Sequence, residues 1–411
     1  MFFFLFSAVV LTGPWLFAHL NVIPPGQPGS GPAVEDEEEA PYRLLRQDLP
    51  EILGPLSPGQ LGDVTAFTVD ADGRELLVET TLDPGLQAYL SKLLRRSLTH
   101  QAAVVAMSPI DGRILAMVSY ADGEPNLIEN LCLRSNYPAA SIIKIVAAAA
   151  AIEAKGFNPE KVLTYRGRRY TLYRSQLENM IDKGPYTHEI SFQRAFSSSI
   201  NPVFGKIGIF HLGEFLINEY ARKFLFNEPI PLEFPLTPSY IGVPSDDFGL
   251  AEIASGFNKQ TLISPLHACM ITGAVANRGT MMTPWMIRRI RDAEGKQVYA
   301  AGIEPLARPI TESTALKMMD MMGDTMVNGT ARKSFRTLRN KKAFQELDIG
   351  GKTGSINDRE GRYKLDWLSA YVVPRDGRQP ISLTVLAIHG EKLGIRSQSL
   401  ARYILEHYYG P

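Results

Sequence analysis

Ser141-Ile142-Ile143-Lys144 places a hydroxyl and an amine three residues apart. On a helix those two positions share a face. An amine one turn below a hydroxyl can take its proton, which makes the serine a nucleophile. The surrounding run PAASIIKIVAAAAAIEA reads as a helix with Pro138 just before it. Beyond Lys144 it is apolar on every side, which predicts a buried central helix. Burial disfavours the ammonium form and lowers a lysine pKa, as a base working near neutrality requires. A serine at a helix N-terminus also meets backbone N–H groups that favour developing negative charge. A four-residue pattern of this kind arises about once or twice by chance in a chain this long. Its place at the start of a buried helix distinguishes it, because a buried lysine without a role is costly.

Two further groups carry chemistry. In AFSSSINPVFGKIG, Ser199 and Asn201 stand two apart on what reads as a bend, so both can face one cleft. The hydroxyl can relay a proton and the amide can hold a substrate amide bond; the plain alternative is a serine-rich turn or cap. In DIGGKTGS, Lys352, Thr353, Gly354 and Ser355 lie at the predicted end of a strand. Glycine in a strand marks a close approach to the backbone. A lysine with two hydroxyls beside it makes an edge suited to a carboxylate; the plain alternative is a solvated strand end.

Several elements must position these groups. Residues 102–108 and 113–120 read as strands joined around Asp111-Gly112, and residues 348–355, 367–373 and 381–388 as three more. Helical sequence separates the two groups, and residues 393–408 read as a closing helix. Hairpin-linked strands with helices in a block between them predict an α+β fold, a five-stranded antiparallel sheet flanked by helices. AFTVDADGRELLVETT reads as two strands around Asp72-Gly73. Asp83 and Pro84 open a helix to about Leu98, with Leu86, Leu90, Leu93 and Leu94 on its apolar side.

Residues 1–18 are almost wholly apolar and the run fades by residue 23, close to the length of a membrane span. No A-x-A-like cleavage site and no basic n-region stand out, so a retained anchor over 1–23 is expected rather than a cleaved signal peptide. Residues 24–41, PPGQPGSGPAVEDEEEAP, have linker composition. The expected division is therefore an anchor (1–23), a linker (24–41), a small lead-in region (42–80) and a main domain (81–411).

Lys plus Arg and Asp plus Glu both number 43, so no basic excess points to nucleic acid. The seven histidines form no ligand cluster, and the two cysteines, Cys132 and Cys269, have no metal-type spacing. No metal and no cofactor are expected.

Taken in order, the three groups resemble the SxxK, SxN and KTG motifs of penicillin-binding proteins and serine β-lactamases. The resemblance runs over roughly residues 78–408. VETTLDPGLQ (78–87), AVVAMSPIDGRILAMV (103–118), ANRGTMMTPWMIRRIRDAEGKQV (276–298), NGTA (328–331) and DWLSAY (366–371) look like the transpeptidase domain of bifunctional class A enzymes. Two departures are mild: Ala140 stands where the family often has glycine, and Ile143 where an aromatic is common. No room for a glycosyltransferase domain precedes residue 78, so a stand-alone anchored module is expected, working with a partner glycosyltransferase. The resemblance implies a β-lactamase/transpeptidase-like fold and a D,D-transpeptidase acting on peptidoglycan stem peptides and binding β-lactams. Ser141 would be the nucleophile, Lys144 its base and Ser199 the proton relay. Asn201 would hold the peptide, and Lys352, Thr353, Gly354 and Ser355 the terminal carboxylate. The backbone N–H groups of Ser141 and Ser355 would form the oxyanion hole. The catalytic domain would lie outside the cytoplasmic membrane. A D,D-carboxypeptidase, a β-lactamase and a non-catalytic sensor or scaffold remain open; for the β-lactamase no deacylating base is evident, the Glu178-Asn179 pair having no convincing spacing.

Overall fold

The computed structural model describes residues 43–53, 65–124 and 129–410. The anchor and linker segments lie outside the described residues, among which no helix is long and apolar enough to cross a membrane.

Five antiparallel strands form the central sheet, in the order Leu347–Asn357, Lys364–Pro374, Ile381–His389, Gln101–Met107, Ile114–Ala121. Their sequences show little polar alternation because both faces are covered. Ala103, Val105 and Met107 enter one core with the helices Lys144–Lys155 and Pro265–Ala276. Ala102, Val104 and Ala106 point the other way, into a second core with the helices Pro84–Arg95 and Ser397–Tyr409. This is the two-residue strand period with two dry faces. The N-cap Asp83 side chain accepts from Leu86 N at 2.9 Å, capping the Pro84–Arg95 helix as its sequence predicts.

A second sheet was legible in the sequence only as its first hairpin. The hairpin Ala66–Ala71 and Arg74–Thr80 turns through Asp72 (φ 53°) and Gly73 (φ 78°), then pairs with Ile287–Arg291, which pairs with Gln297–Ala300. IRRIR hides its strand character: three arginines in five residues swamp the apolar signal, and a register shift between Ile287 and Arg289 breaks the alternation. Ile287 and Ile290 are nevertheless buried, and Arg289 pairs with Glu79 at 2.7 Å. The lead-in hairpin is thus continuous with the sheet of the main body.

The central helix also differs from expectation in its first turn. Ala140–Ile143 is a 3-10 turn, and the α-helix runs Lys144–Lys155. Every residue from Lys144 to Ile152 is buried, and Gly156 (φ 64°) closes the helix with its N–H on the Ala151 and Ile152 carbonyls. The turn is clamped from outside. Ala139 N donates to Thr261 O at 2.9 Å, and Trp367 Nε1 donates to Pro138 O at 3.1 Å. Gly256 (φ 67°) ends the helix Asp247–Ser255, and a Cβ there would overlap the Ala140 carbonyl oxygen. Gly256→Ala is therefore expected to destabilise the protein by about 2 kcal/mol or more. A urea midpoint unchanged from the parent would show that the close approach is not needed.

Candidate active site

The 3-10 turn decides the geometry at Ser141. With three residues per turn, positions i and i+3 eclipse, so Lys144 stands directly under the serine. Its Nζ lies 2.9 Å from Ser141 Oγ and 2.8 Å from Asn201 Oδ1, and it also donates to the Ser255 carbonyl. Asn201 Nδ2 donates to Tyr170 O at 3.1 Å, which fixes the amide with its oxygen toward the lysine. The Asn201 oxygen and the Ser255 carbonyl can only accept. A neutral amine gives them its two N–H bonds and keeps its lone pair for the Ser141 hydroxyl.

Burial pushes Lys144 well below its ordinary pKa, and the nearby Lys352 ammonium pushes in the same direction. Lys352 Nζ lies 2.9 Å from Ser199 Oγ and 2.8 Å from Thr353 O. Burial pushes Lys352 down to about 7. Neither lysine makes an ion pair among the described residues. Each stands over an aromatic ring instead: Lys144 over Phe204 at 5.5 Å and Lys352 over Phe196 at 5.6 Å.

Ser199 and Asn201 sit on the joint between the helices Phe192–Ser197 and Asn201–Ile207. Ser199 occupies the left-handed region (φ 56°), the usual place for glycine after a helix, and its N–H bonds back to Phe196 O at 3.0 Å. The bend expected from sequence is present, and it sends the hydroxyl to Lys352 and the amide to Lys144.

The Lys352-Thr353-Gly354-Ser355 segment lies inside the edge strand Leu347–Asn357 rather than at a strand end. The reason is pairing: Lys352 to Asn357 lie opposite Ser369 to Lys364 of the next strand, so the ladder continues past the motif. Gly354 faces the Ser141 turn, where an added Cβ would stand 3.3 Å from Ala140 Cβ. Thr353 Oγ1 is 2.6 Å from Thr330 Oγ1, and Ser355 is exposed on the strand.

The structure thus forms two hydrogen-bonded sets, Ser141, Lys144 and Asn201 in one and Ser199, Lys352 and Thr353 in the other, joined by the Ser199–Asn201 bend, with Gly354 and Ser355 further along the same strand. Phe196, Phe204 and the Ser255 carbonyl had no sequence signal for a role, since none carries a reactive type at telling spacing; Thr330 lies in the NGTA stretch (328–331), which carried the resemblance but no assigned role. Glu178 lines a surface cavity whose walls include none of these residues. Cys132 and Cys269 are free and buried, and burial pushes each thiol up to about 12. No cluster of three or more metal-ligating side chains occurs among the described residues.

An antiparallel sheet flanked by helices, with a buried lysine under a serine at its edge, defines an active-site-serine acyltransferase. Residues 102–403 match the family described as "Penicillin binding protein transpeptidase domain", and the chain belongs to that family. It is 23% identical over 371 residues to the peptidoglycan D,D-transpeptidase PbpA of Mycolicibacterium smegmatis, covering 82% of this chain and 72% of that one. To the stage V sporulation protein D of Bacillus subtilis it is 25% identical over 337 residues, 74% of this chain but 50% of that protein. The fold is similar to the D,D-transpeptidase domain of a peptidoglycan glycosyltransferase from Eggerthella lenta, with a TM-score of 0.66 at 22% identity over 80% of this chain and 82% of that one.

Lys352 binds fewer protons folded than unfolded between about pH 7 and its ordinary pKa of 10.5. Its burial therefore costs most stability below pH 7, and the cost fades as pH rises toward 10. Lys352→Met removes the cost. Its Tm at pH 6 is expected to exceed the parent's by about 2–4 °C, with the gap closing at high pH; an equal or lower Tm at pH 6 would count against this account.

Proposed function

We propose that the protein is a peptidoglycan D,D-transpeptidase working through a Ser141 acyl-enzyme. The observation that carries this is the fully buried Lys144 amine, 2.9 Å from Ser141 Oγ, with its other hydrogen-bond partners acceptors only. Neutral Lys144 takes the Ser141 proton, and Oγ attacks the carbonyl between the two terminal D-alanines of a stem peptide. The backbone N–H groups of Ser141 and Ser355 receive the developing oxyanion. Ser199 passes a proton to the departing D-alanine. Asn201 holds the peptide backbone. Lys352, Thr353 and Ser355 bind the terminal carboxylate, with Gly354 letting the strand approach, and a β-lactam is held in the same way. An amine from a neighbouring stem peptide then attacks the ester carbonyl, forms the cross-link and frees Ser141.

In this reading residues 1–23 anchor the chain in the bacterial cytoplasmic membrane and the catalytic domain lies on its outer face. The apolar run at 1–18 supports this. Glycan strands would come from a partner glycosyltransferase. Long-lived acylation is supported by the surroundings of Lys144, where no carboxylate among the described residues takes a hydrogen bond from Nζ.

Two measurements test the reading. Fluorescent penicillin is expected to label the full-length protein covalently, with the adduct persisting for hours and lost in Ser141→Ala. Release of hydrolysed drug within seconds would instead mark a β-lactamase, and an unlabelled folded protein would sink the acyl-enzyme. The labelling rate should rise with pH as Lys144 loses its proton and fall above about pH 7 as Lys352 loses the charge that holds the drug carboxylate. A profile still rising through pH 9 would remove Lys352 from that role.

A further inference from the structure

Asp324 is 8% exposed near the end of the Glu312–Val327 helix, and no step of the reaction above uses it. Its side chain is held from across the site. Arg194 Nη1 donates to Asp324 Oδ2 at 2.8 Å and to Ser197 Oγ at 3.3 Å, and Arg194 Nη2 donates to Asn328 O at 3.4 Å. Asn328 Nδ2 donates to Asp324 Oδ1 at 2.7 Å. The backbone N–H groups of Asn328 and Gly329 each donate to Asp324 O at 2.8 Å. We infer that Asp324 and Arg194 are positioning residues that set the grip of Lys352 and Thr353 on the substrate carboxylate. The inference rests on the Ser141 acyl-enzyme reading and deepens it by adding the parts that align the carboxylate site.

The pair fastens a closed ring of contacts. Ser197 ends the helix Phe192–Ser197, just before the joint at Ser199. Ser197 O accepts from Thr330 N at 3.0 Å, and a Cβ on Gly329 would stand 2.3 Å from that same oxygen. Thr330 Oγ1 is 2.6 Å from Thr353 Oγ1. One residue back along the strand, Lys352 Nζ donates to Ser199 Oγ at 2.9 Å and so returns to the joint. Asp324 holds the 328–330 side of this ring, and Arg194 holds the helix that leads into the joint. Loosening the pair therefore loosens both Thr353 and Lys352. Ser141, Lys144 and Asn201 are bonded to one another and lie outside the ring.

The chemistry of the pair suits alignment. Burial alone would raise the Asp324 pKa, but hydrogen bonds from Ser197, Asn328 and Arg194 outweigh it and hold the carboxyl below its usual range. The carboxylate is thus ionised and tethered in several directions. The Arg194 side chain is 41% exposed, and an ion pair with one partner in water contributes little to stability. Its planar fork nevertheless reaches a carboxylate, a hydroxyl and a carbonyl at once, which fixes geometry.

The test uses full-length protein and two probes, benzylpenicillin and its methyl ester. The carboxylate is free in one and masked in the other. Each is measured as the second-order rate of Ser141 acylation, by competition with fluorescent penicillin. The parent is expected to prefer the free acid by about tenfold or more, as a site built for a carboxylate should. Asp324→Asn and Arg194→Gln should each cut that preference by about fivefold or more while slowing the ester by no more than about threefold. A fold that is merely weakened slows both probes alike and leaves the ratio unchanged. The double variant should lose no more preference than the worse single one, because both residues act through one clamp. If Asp324→Asn does not fold, Arg194→Gln, altered at a half-exposed side chain, carries the test. An unchanged ratio in a folded variant, or losses that add in the double variant, would overturn the inference. A parent that labels but takes acid and ester equally would also overturn it while leaving the acyl-enzyme standing. Absence of labelling in the parent would remove the acyl-enzyme reading and this one with it.

Discussion

Two lysines buried without a carboxylate partner among the described residues are the constraint around which the rest of the molecule is arranged. Taking an unpaired ammonium out of water costs several kcal/mol, and a second one close by adds repulsion. Lys144 and Lys352 are both fully buried, and the charge on Lys352 bears on Lys144. Among the described residues the surroundings supply carbonyl and hydroxyl oxygens and aromatic faces but no anion. A third buried lysine makes the contrast. Lys206, near the end of the helix Asn201–Ile207, is paired with buried Asp182 and makes no such demand. The difference between a structural lysine and a reactive one here is the missing carboxylate.

Holding amines in that state requires stiff walls. The Lys144–Ile152 stretch is buried on every side by helices from three other parts of the chain, while the strand Leu347–Asn357 packs on the 3-10 turn before it. The joint at Ser199 puts a non-glycine residue into the left-handed region, and the turn at Ala140 does the same at φ 48°. Both conformations are unfavourable for residues with a Cβ. They persist because neighbours over-determine them: Gly256 presses on the Ala140 carbonyl, and Gly354 leaves space for the Ala140 methyl. Where many relatives of this family place glycine before the serine, this chain places the extra methyl against a glycine on the facing strand.

The sheet edge completes the arrangement. Among the described residues the Leu347–Asn357 strand has a strand neighbour on one side only, the arrangement to which an extended peptide adds as a further strand. Thr330 and Gly329 tie the end of the Glu312–Val327 helix to both halves of the site, through the Thr353 hydroxyl and the Ser197 carbonyl. Lysine, hydroxyls and edge strand are thereby held in one frame, which is what a preorganised site needs.

The amino-acid sequence alone determined the parts whose signal is local. The serine–lysine spacing, the helix apolar on every side, the hairpin turns at Asp72-Gly73 and Asp111-Gly112, and the five apolar strands are each written within about a dozen residues, the range over which helix and strand periods act. It also placed Ser199 and Asn201 on a bend. Only the tertiary structure decided which lysine each of them meets, because Asn201 and Lys144 are 57 residues apart and Ser199 and Lys352 are 153 apart. The aromatic floor under the lysines, the Thr330–Thr353 contact and the second sheet beyond its first hairpin were likewise invisible. Phenylalanines and an arginine-rich strand carry no spacing that announces a role, and their partners are chosen by packing across the core rather than by neighbours in the chain.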